Sequence, residues 1–448
     1  MALIGESKNF SAPDYDATAE QVALNTSHWG SEAPKVHMVI TGVTGSASTI
    51  SVHLKNSLGW ATDSDDYVLG IGGHNGRSTK SLCKSVYSNA YCAWALTYNG
   101  GTYEKAEQNA YSATAVMHDW AGTSGDGYYY SLLALGGSNV EDVSIDVIDT
   151  ATSTGAVSYT GPGFKPTCLI AMWNGSTAVS AEEAANDACI AMGFSDGSTD
   201  ACAMGHSRNA MSTSETSSVL CTEFIRYYDE ATLATLDACS VTSLDASGYT
   251  LTWSAADATA RKVTVIAIKG PGAKVVTSLQ PTTNTTVDID IGVVPKVGIV
   301  IGAMKTASET TSTHNRMLIG AWDELDNRDS IGWMDESGQT TTDTDRYVSA
   351  AHSIKNYDHA RSCVGRATVS VQGNGIRETW DQTDGTERQH AWLLLSEDIP
   401  PAADDDDDPI VPQRFNIAPG GAMGTSFSLL ADYGENLSPL EQGKKVRT

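Results

Sequence analysis

The chain carries one long pattern three times, and that repeat constrains its fold more than any other feature. The segments Pro34-Lys35-Val36-His37-Met38-Val39-Ile40, Pro166-Thr167-Cys168-Leu169-Ile170-Ala171-Met172 and Pro295-Lys296-Val297-Gly298-Ile299-Val300-Ile301 start 132 and 129 residues apart. Each is a proline followed by a short apolar, β-branched run, which predicts a buried strand. A proline at the start of a strand removes no ladder hydrogen bond. The second landmark is a tryptophan in a polar-apolar alternation: Val116-Met117-His118-Asp119-Trp120, Tyr249-Thr250-Leu251-Thr252-Trp253 and Ile376-Arg377-Glu378-Thr379-Trp380. Twelve residues beyond each tryptophan lie Leu132, Val265 and Trp392, inside the apolar runs 130–135, 263–268 and 390–395. Strand, polar loop and strand at this separation predict an antiparallel hairpin.

Weaker landmarks align Gly73-His74 with Gly205-His206 and Gly332-Trp333, and Ile225-Arg226-Tyr227-Tyr228-Asp229 with Ile354-Lys355-Asn356-Tyr357-Asp358. Copy one offers only a loose counterpart of the latter near Val86-Tyr87, so it has diverged most. Between landmarks the chain is Ser, Thr, Gly, Asp and Asn broken by short apolar stretches. One short segment, 181–188, reads as a helix. Many short strands with turn signals between them predict an all-β chain. The expected architecture is three tandem antiparallel β-sandwiches, jelly-roll-like, over 31–155, 156–277 and 278–398, with residues 1–30 part of the first. Each is of ordinary domain size.

Residues 399–448 are of another kind. Five aspartates, Asp404 to Asp408, repel one another and hold the linker extended. Beyond them Arg414, Phe415, Ile417, Phe427, Leu429 and Leu430 supply apolar contacts, and the chain ends in Lys444-Lys445-Val446-Arg447-Thr448. Fifty residues of this composition form no core of their own. They are expected to act as an extended C-terminal arm that orders against a neighbouring subunit.

Charge excludes whole classes of function. With 28 Lys+Arg against 54 Asp+Glu the net charge is −26, the wrong sign for binding nucleic acid or an anionic membrane surface. No apolar run is long enough for a transmembrane helix. The first residues, Met1-Ala2-Leu3-Ile4-Gly5-Glu6-Ser7, lack a basic, apolar leader, so synthesis in a cytoplasm is expected. The eight cysteines form no C-x-x-C pair and divide unevenly among the copies, as small buried apolar residues would.

Catalytic and metal motifs are not found. There is no phosphate loop, H-E-x-x-H or G-x-S-x-G. Gly70-Ile71-Gly72-Gly73-His74-Asn75-Gly76 has Asn75 where a dinucleotide fingerprint needs its third glycine, and reads as a turn. His74 and His206, at equivalent landmarks, read as turn residues; His352 and His359 are spaced badly for a shared metal. Asp63, Asp65 and Asp66, and Asp343 and Asp345, could ligate a structural Ca2+ through loop oxygens, but neither group has an EF-hand pattern, and no cofactor is expected. No repeated carboxylate singles itself out for glycoside hydrolysis. Trp120, Trp253 and Trp380 occupy one equivalent position in an inner strand and are expected to anchor the three cores.

The stretch Leu244-Asp245-Ala246-Ser247-Gly248-Tyr249-Thr250-Leu251-Thr252-Trp253, with 258–270 after it and Gly163-Phe164-Lys165-Pro166 before it, resembles a segment common in tailed-bacteriophage virion-associated proteins. The resemblance is clearest over 163–270, weaker in copy three, weakest in copy one, and does not reach the tail. It implies a virion component made in the host cytoplasm and carries no catalytic residues. The expected function is thus non-enzymatic: a head decoration protein, or part of a collar or tail fibre or spike. Its expected partners are other virion proteins and copies of itself, by analogy as a trimer. The alternatives are an adhesin that binds host carbohydrate, with Trp60, Trp322 and Trp333 as candidate stacking residues, and, less favoured, a polysaccharide-degrading enzyme.

Overall fold

Two kinds of strand sequence go to two kinds of sheet. Strands such as Cys168–Trp173 are apolar at successive positions and buried at every one. Strands such as Gly248–Ala255 alternate, with Tyr249, Leu251 and Trp253 buried and Thr252 and Ser254 exposed. Alternation gives an antiparallel sheet with one wet face; a continuous apolar run needs cover on both faces. The structure, a computed structural model, describes residues 2–397 except 12–16, 43–49, 97–101, 123–128, 180–183, 230, 310 and 359.

The first sandwich contains β1 (Ile4–Ser11), β2 (Ala17–Ala23), the single helical turn α1 (Thr26–Trp29), β3 (Pro34–Gly42), β4 (Ile50–Val52), β5 (Leu54–Ala61), β6 (Asp66–Gly73), β7 (Cys83–Ser88), β8 (Ala93–Leu96), β9 (Thr102–Ser112), β10 (Ala115–Gly122) and β11 (Tyr129–Gly136). The second contains β12 (Asp142–Asp149), β13 (Gly155–Tyr159), β14 (Cys168–Trp173), β15 (Ala184–Asn186), β16 (Ala188–Ser195), β17 (Asp200–Ser207), β18 (Thr216–Cys221), β19 (Ile225–Tyr228), β20 (Thr235–Asp245), β21 (Gly248–Ala255) and β22 (Lys262–Lys269). The third contains β23 (Gly272–Leu279), β24 (Thr286–Asp290), β25 (Pro295–Gly302), β26 (Asn315–Asp323), β27 (Arg328–Asp335), β28 (Thr344–Ser349), β29 (Ile354–Tyr357), β30 (Cys363–Gln372), β31 (Gly375–Thr383) and β32 (Gln389–Ser396).

Each sandwich pairs a large sheet, β1-β11-β3-β5-β6-β7 in the first, with a four-stranded one, β2-β10-β9-β8. The second and third repeat this order: β12-β22-β14-β16-β17-β18 over β13-β21-β20-β19, and β23-β32-β25-β26-β27-β28 over β24-β31-β30-β29. First strand against last and second against penultimate is the outer wrap of a jelly roll; the remaining strands run as meanders. In each copy a glycine of the fourth core strand lets a backbone carbonyl of the opposite sheet close in. A Cβ on Gly59, Gly193 or Gly320 would sit 1.8, 2.0 or 1.9 Å from the carbonyl oxygen of Cys92, Phe224 or Ser353.

The large sheets face two cores. Inside each sandwich, Val39, Tyr130 and Leu132, or Leu169, Ala171 and Val265, or Val300, Trp392 and Leu394, meet the small sheet. On the opposite face Met38, Ile170 and Ile299 belong to one cluster fed by all three copies. Three sandwiches therefore share a fourth core, which is why their central strands are apolar without interruption.

The third-to-fourth strand connections close the ring. β4 of the first sandwich pairs with β28 of the third, through Ile50↔Tyr347, Ser51↔Arg346 and Val52↔Asp345. β15 of the second pairs with β7 of the first. In the third, Ser312 bridges Ser218 of β18 in the second. Each sandwich lends a segment to a neighbour's edge strand and has its own edge covered in turn.

Several sequence expectations change. The tryptophan strand and its successor, β10 and β11 for example, lie in different sheets, so the connection is an arch across the sandwich and not a hairpin. Both strands bury one face in the same core, which their pattern could not distinguish from pairing. The boundaries expected at 155/156 and 277/278 move earlier, because β12 belongs to the second sandwich and β23 to the third. Those strands are half exposed and carry no apolar run to read. The helix expected over 181–188 gives way to the borrowed strand β15, with 181–183 outside the described residues. The copy-one counterpart of β19 and β29 is β8, not Val86-Tyr87. The arm, 399–448, lies outside the described residues.

Candidate functional site

The three loops between the fifth and sixth core strands meet one another, and they do so by the same four hydrogen bonds at each meeting. Ser81 of the first sandwich donates its N–H to Met211 O of the second at 2.8 Å and accepts at its own carbonyl from Ala210 N–H at 2.9 Å. Its hydroxyl donates to Arg208 O at 2.7 Å and accepts from Met211 N–H at 2.9 Å. Ser214 makes the same set with the third sandwich: Gln339 O at 2.9 Å, Gly338 N–H at 2.7 Å, Gln339 N–H at 3.0 Å, and Glu336 O. Thr342 makes it with the first: Arg77 O at 3.0 Å, Gly76 N–H at 2.7 Å, Arg77 N–H at 3.0 Å and His74 O at 2.5 Å. All three hydroxyl residues are buried. The ring obeys a threefold rule within one chain.

This ring also corrects the alignment of the histidines. His74 is equivalent to Arg208 and Glu336, whereas His206 lies inside β17, buried and opposite Cys189. The middle loop position adopts positive φ in every copy: Gly76 at 75°, Ala210 at 60° and Gly338 at 84°. A Cβ in that region is strained. Ala210→Gly is accordingly expected to stabilise the chain by about 0.5–1 kcal/mol, as strain relief outweighs the greater freedom of the unfolded glycine. Denaturant midpoints of the two proteins check this; a lower midpoint for the variant would contradict it.

Buried carboxylates hold other contacts between copies. Asp323 accepts from Ser7 N–H at 2.7 Å, and Asp329 accepts from the Ser7 hydroxyl and Asn9. Burial pushes Asp329 up to about 6, against its hydrogen bonds to Ser7, Ser131 and Asn9. Burial likewise pushes Asp335 and Asp66 up to about 7. Such groups favour the protonated folded state, so stability is lost as pH rises through the folded values. The buried histidines act oppositely. Burial lowers His118 to about 4 and His206 and His390 to about 3, with His37 lowered as well, so their contribution is lost as pH falls below 6.5. Between about pH 4 and 6.5 the two sets oppose each other, and above that only Asp335 and Asp66 still titrate strongly, so the melting temperature is expected to fall between about pH 6.5 and 8. Asp335→Asn should flatten the alkaline limb; an unchanged slope in a folded variant would contradict the assignment.

Copy one holds a polar cluster inside its own core. His37 comes from β3, His118 from β10, Tyr111 from β9, and Cys92 directly precedes β8. Tyr111 donates its hydroxyl to Ala61 O at 2.8 Å, so it accepts from His37 Nδ1–H at 2.7 Å. That tautomer leaves His37 Nε2 as an acceptor, 3.0 Å from His118 Nε2, which must donate. His118 Nδ1 is then a buried lone pair, with no partner among the described residues. The imidazoles meet edge to face, their centroids 5.0 Å apart. The Cys92 thiol, also fully buried, completes a set whose ligand atoms lie within 4.8 Å of one another.

The same positions in copy two are Leu169, Leu251 and Phe224, all apolar. In copy three they are Gly298, Glu378 and Ser353. Glu378 is held by Ser278 Oγ at 2.7 Å, Trp392 Nε1 at 2.8 Å and Trp380 Nε1 at 3.0 Å.

Trp120, Trp253 and Trp380 are buried, one in each sandwich core. Trp60, Trp322 and Trp333, the candidate sugar-stacking residues, are buried too, at 0, 0 and 1% exposure. Asp345 pairs with Arg361 at 2.7 Å, and Asn75 donates to both Asp343 and Asp345. Asp65 accepts from the Ser64 hydroxyl at 2.6 Å and Asp66 from Gln108 N–H at 2.9 Å. None of the eight cysteines is joined in a disulfide among the described residues. His359 and the arm residues Arg414, Phe415, Ile417, Phe427, Leu429 and Leu430 lie outside the described residues. The ring hydroxyls and the His37 cluster were missed by sequence reading. The first had a signal, a Ser or Thr two residues before each sixth strand; the second had only the departure of copy one from the apolar pattern of copy two. No family model, curated protein or solved structure matches the chain.

Proposed function

We propose that this chain is a non-enzymatic structural protein on the outside of a tailed-phage particle, a head decoration protein or part of a collar or tail appendage. The observation that carries the structural reading is the closed ring: three sandwiches with a common core, borrowed edge strands and repeated loop contacts in one polypeptide. Such a body is a rigid block with threefold character, suited to a threefold platform built by other virion proteins. The phage context rests on the resemblance of 163–270. In this reading the threefold body lies within one chain and takes the place of the homotrimer expected by analogy, and the arm is the element that ties the block to a neighbour.

Light scattering should give a solution mass near one chain, 47.3 kDa. A mass near three chains would contradict the single-chain trimer. Immunogold labelling of intact particles should decorate the head, collar or tail; an unlabelled particle would overturn the virion reading. Loss of 399–448 should abolish incorporation and leave the sandwiches folded. The adhesin reading gains nothing: among the described residues the exposed large apolar side chains are Val52, Leu279, Val294, Leu325 and Val371, none of them aromatic.

A further inference from the structure

We propose that His37, Cys92 and His118 form a binding site for one divalent metal ion, Zn2+ by its ligand set, inside the first sandwich. The imidazole nitrogens and the thiol come from three different elements, β3, β10 and the entry to β8, and converge within 4.8 Å. Ligands of a tetrahedral Zn2+ with Zn–N of about 2.0–2.1 Å and Zn–S of about 2.3 Å lie roughly 3.3–3.6 Å apart. The His37 Nε2 to His118 Nε2 separation of 3.0 Å needs to open by only a few tenths of an ångström.

Three observations favour a ligand over a bland polar core. First, the fold does not require these residues, because copy two builds the same positions from Leu169, Leu251 and Phe224. Burying polar groups where apolar ones suffice is costly and is retained for a use. Second, His118 Nδ1 has no partner among the described residues, so nothing else fixes the His118 tautomer against a metal at Nε2. Third, the outer contacts already orient a ligand. Tyr111, fixed by Ala61 O, holds the His37 Nδ1 proton and so directs the Nε2 lone pair to the cluster centre. This is the outer-shell arrangement common to metal-bound histidines.

Binding forms two metal–nitrogen bonds and one metal–sulfur bond and breaks the bonds to the aqua ligands that the three side chains displace. The His118 Nε2 proton shifts to the vacant Nδ1 through solvent exchange, and the Cys92 thiol proton leaves to solvent. The Cys92 thiolate offsets one of the ion's two charges. Three protein ligands leave one coordination position. Thiolate with two imidazoles suits Zn2+ better than Ca2+ or Mg2+, which take oxygen.

Because the site is buried, loading belongs to folding. Full-length protein refolded with Zn2+, or with Co2+ as a spectroscopic substitute, should retain about one equivalent after desalting. The cobalt form should show thiolate charge-transfer absorption and tetrahedral d–d bands. His118→Leu, which installs the residue of copy two, and Cys92→Ala should each fold and lose the metal and the spectrum. Tyr111→Phe should keep the ligands and weaken affinity by about 10–100-fold. Folded wild-type protein without stoichiometric metal would overturn the proposal. So would retention of the metal by the folded Cys92→Ala/His118→Leu double variant, which would mark it as adventitious.

Discussion

An Ile170→Asp chain is expected not to fold, and to lose all three sandwiches together. Ile170 is fully buried in the middle of β14, on the face turned away from its own sandwich. Its equivalents Met38 and Ile299 share that central cluster, so the carboxylate would enter a core fed by every copy. An unpaired buried charge costs several kcal/mol, comparable with the roughly 5–15 kcal/mol that stabilises an entire domain. The milder Ile170→Ala should cost about 2–5 kcal/mol, as large-to-small core changes do, and should shift one common transition. Leu279, 45% exposed on β23, serves as the control: Leu279→Asp should stay within about 0.5 kcal/mol of wild type. Far-ultraviolet and near-ultraviolet circular dichroism report the result. Native-like signal from two intact sandwiches in the Ile170→Asp chain would contradict the shared core.

Removing a ring hydroxyl should be the next most damaging change. Ser214→Ala leaves two half-buried backbone groups short of a partner, the Gln339 N–H and the Glu336 carbonyl. At a net of about 0.5–1.5 kcal/mol for each hydrogen bond, the loss should reach roughly 1–3 kcal/mol. Ser81→Ala and Thr342→Val break the same pair of bonds at the other two junctions and should cost the same within about 1 kcal/mol. Denaturant unfolding of the three variants decides the matter. Three widely different values would mean that the ring's threefold chemistry is not energetically real.

Much of this fold was legible, and for a physical reason. The proline-led apolar runs and the tryptophan alternations lie on strands buried in every copy, where packing leaves few residue choices. The spacing from Trp120, Trp253 and Trp380 to Leu132, Val265 and Trp392 marks equivalent positions in the three cores. What the sequence concealed was contact between copies. A residue such as Ile170 declares that it is buried, but not whether its neighbour is the same sandwich or the next. β12 and β23 carry too little apolar pattern to be counted, and β15 is a strand only because β7 pairs with it. The His37 cluster was hidden differently. His37, Cys92 and His118 are far apart in the chain and meet only once the two sheets close. The ring hydroxyls are serines and a threonine in a chain full of both.

The account stands on the three sandwiches being one cooperative body. Differential scanning calorimetry of the full chain tests this most directly. A common core and interlocked edges predict a single transition whose calorimetric and van't Hoff enthalpies agree. Three separable transitions, each with about a third of the total enthalpy, would show independent domains in tandem and would contradict the ring.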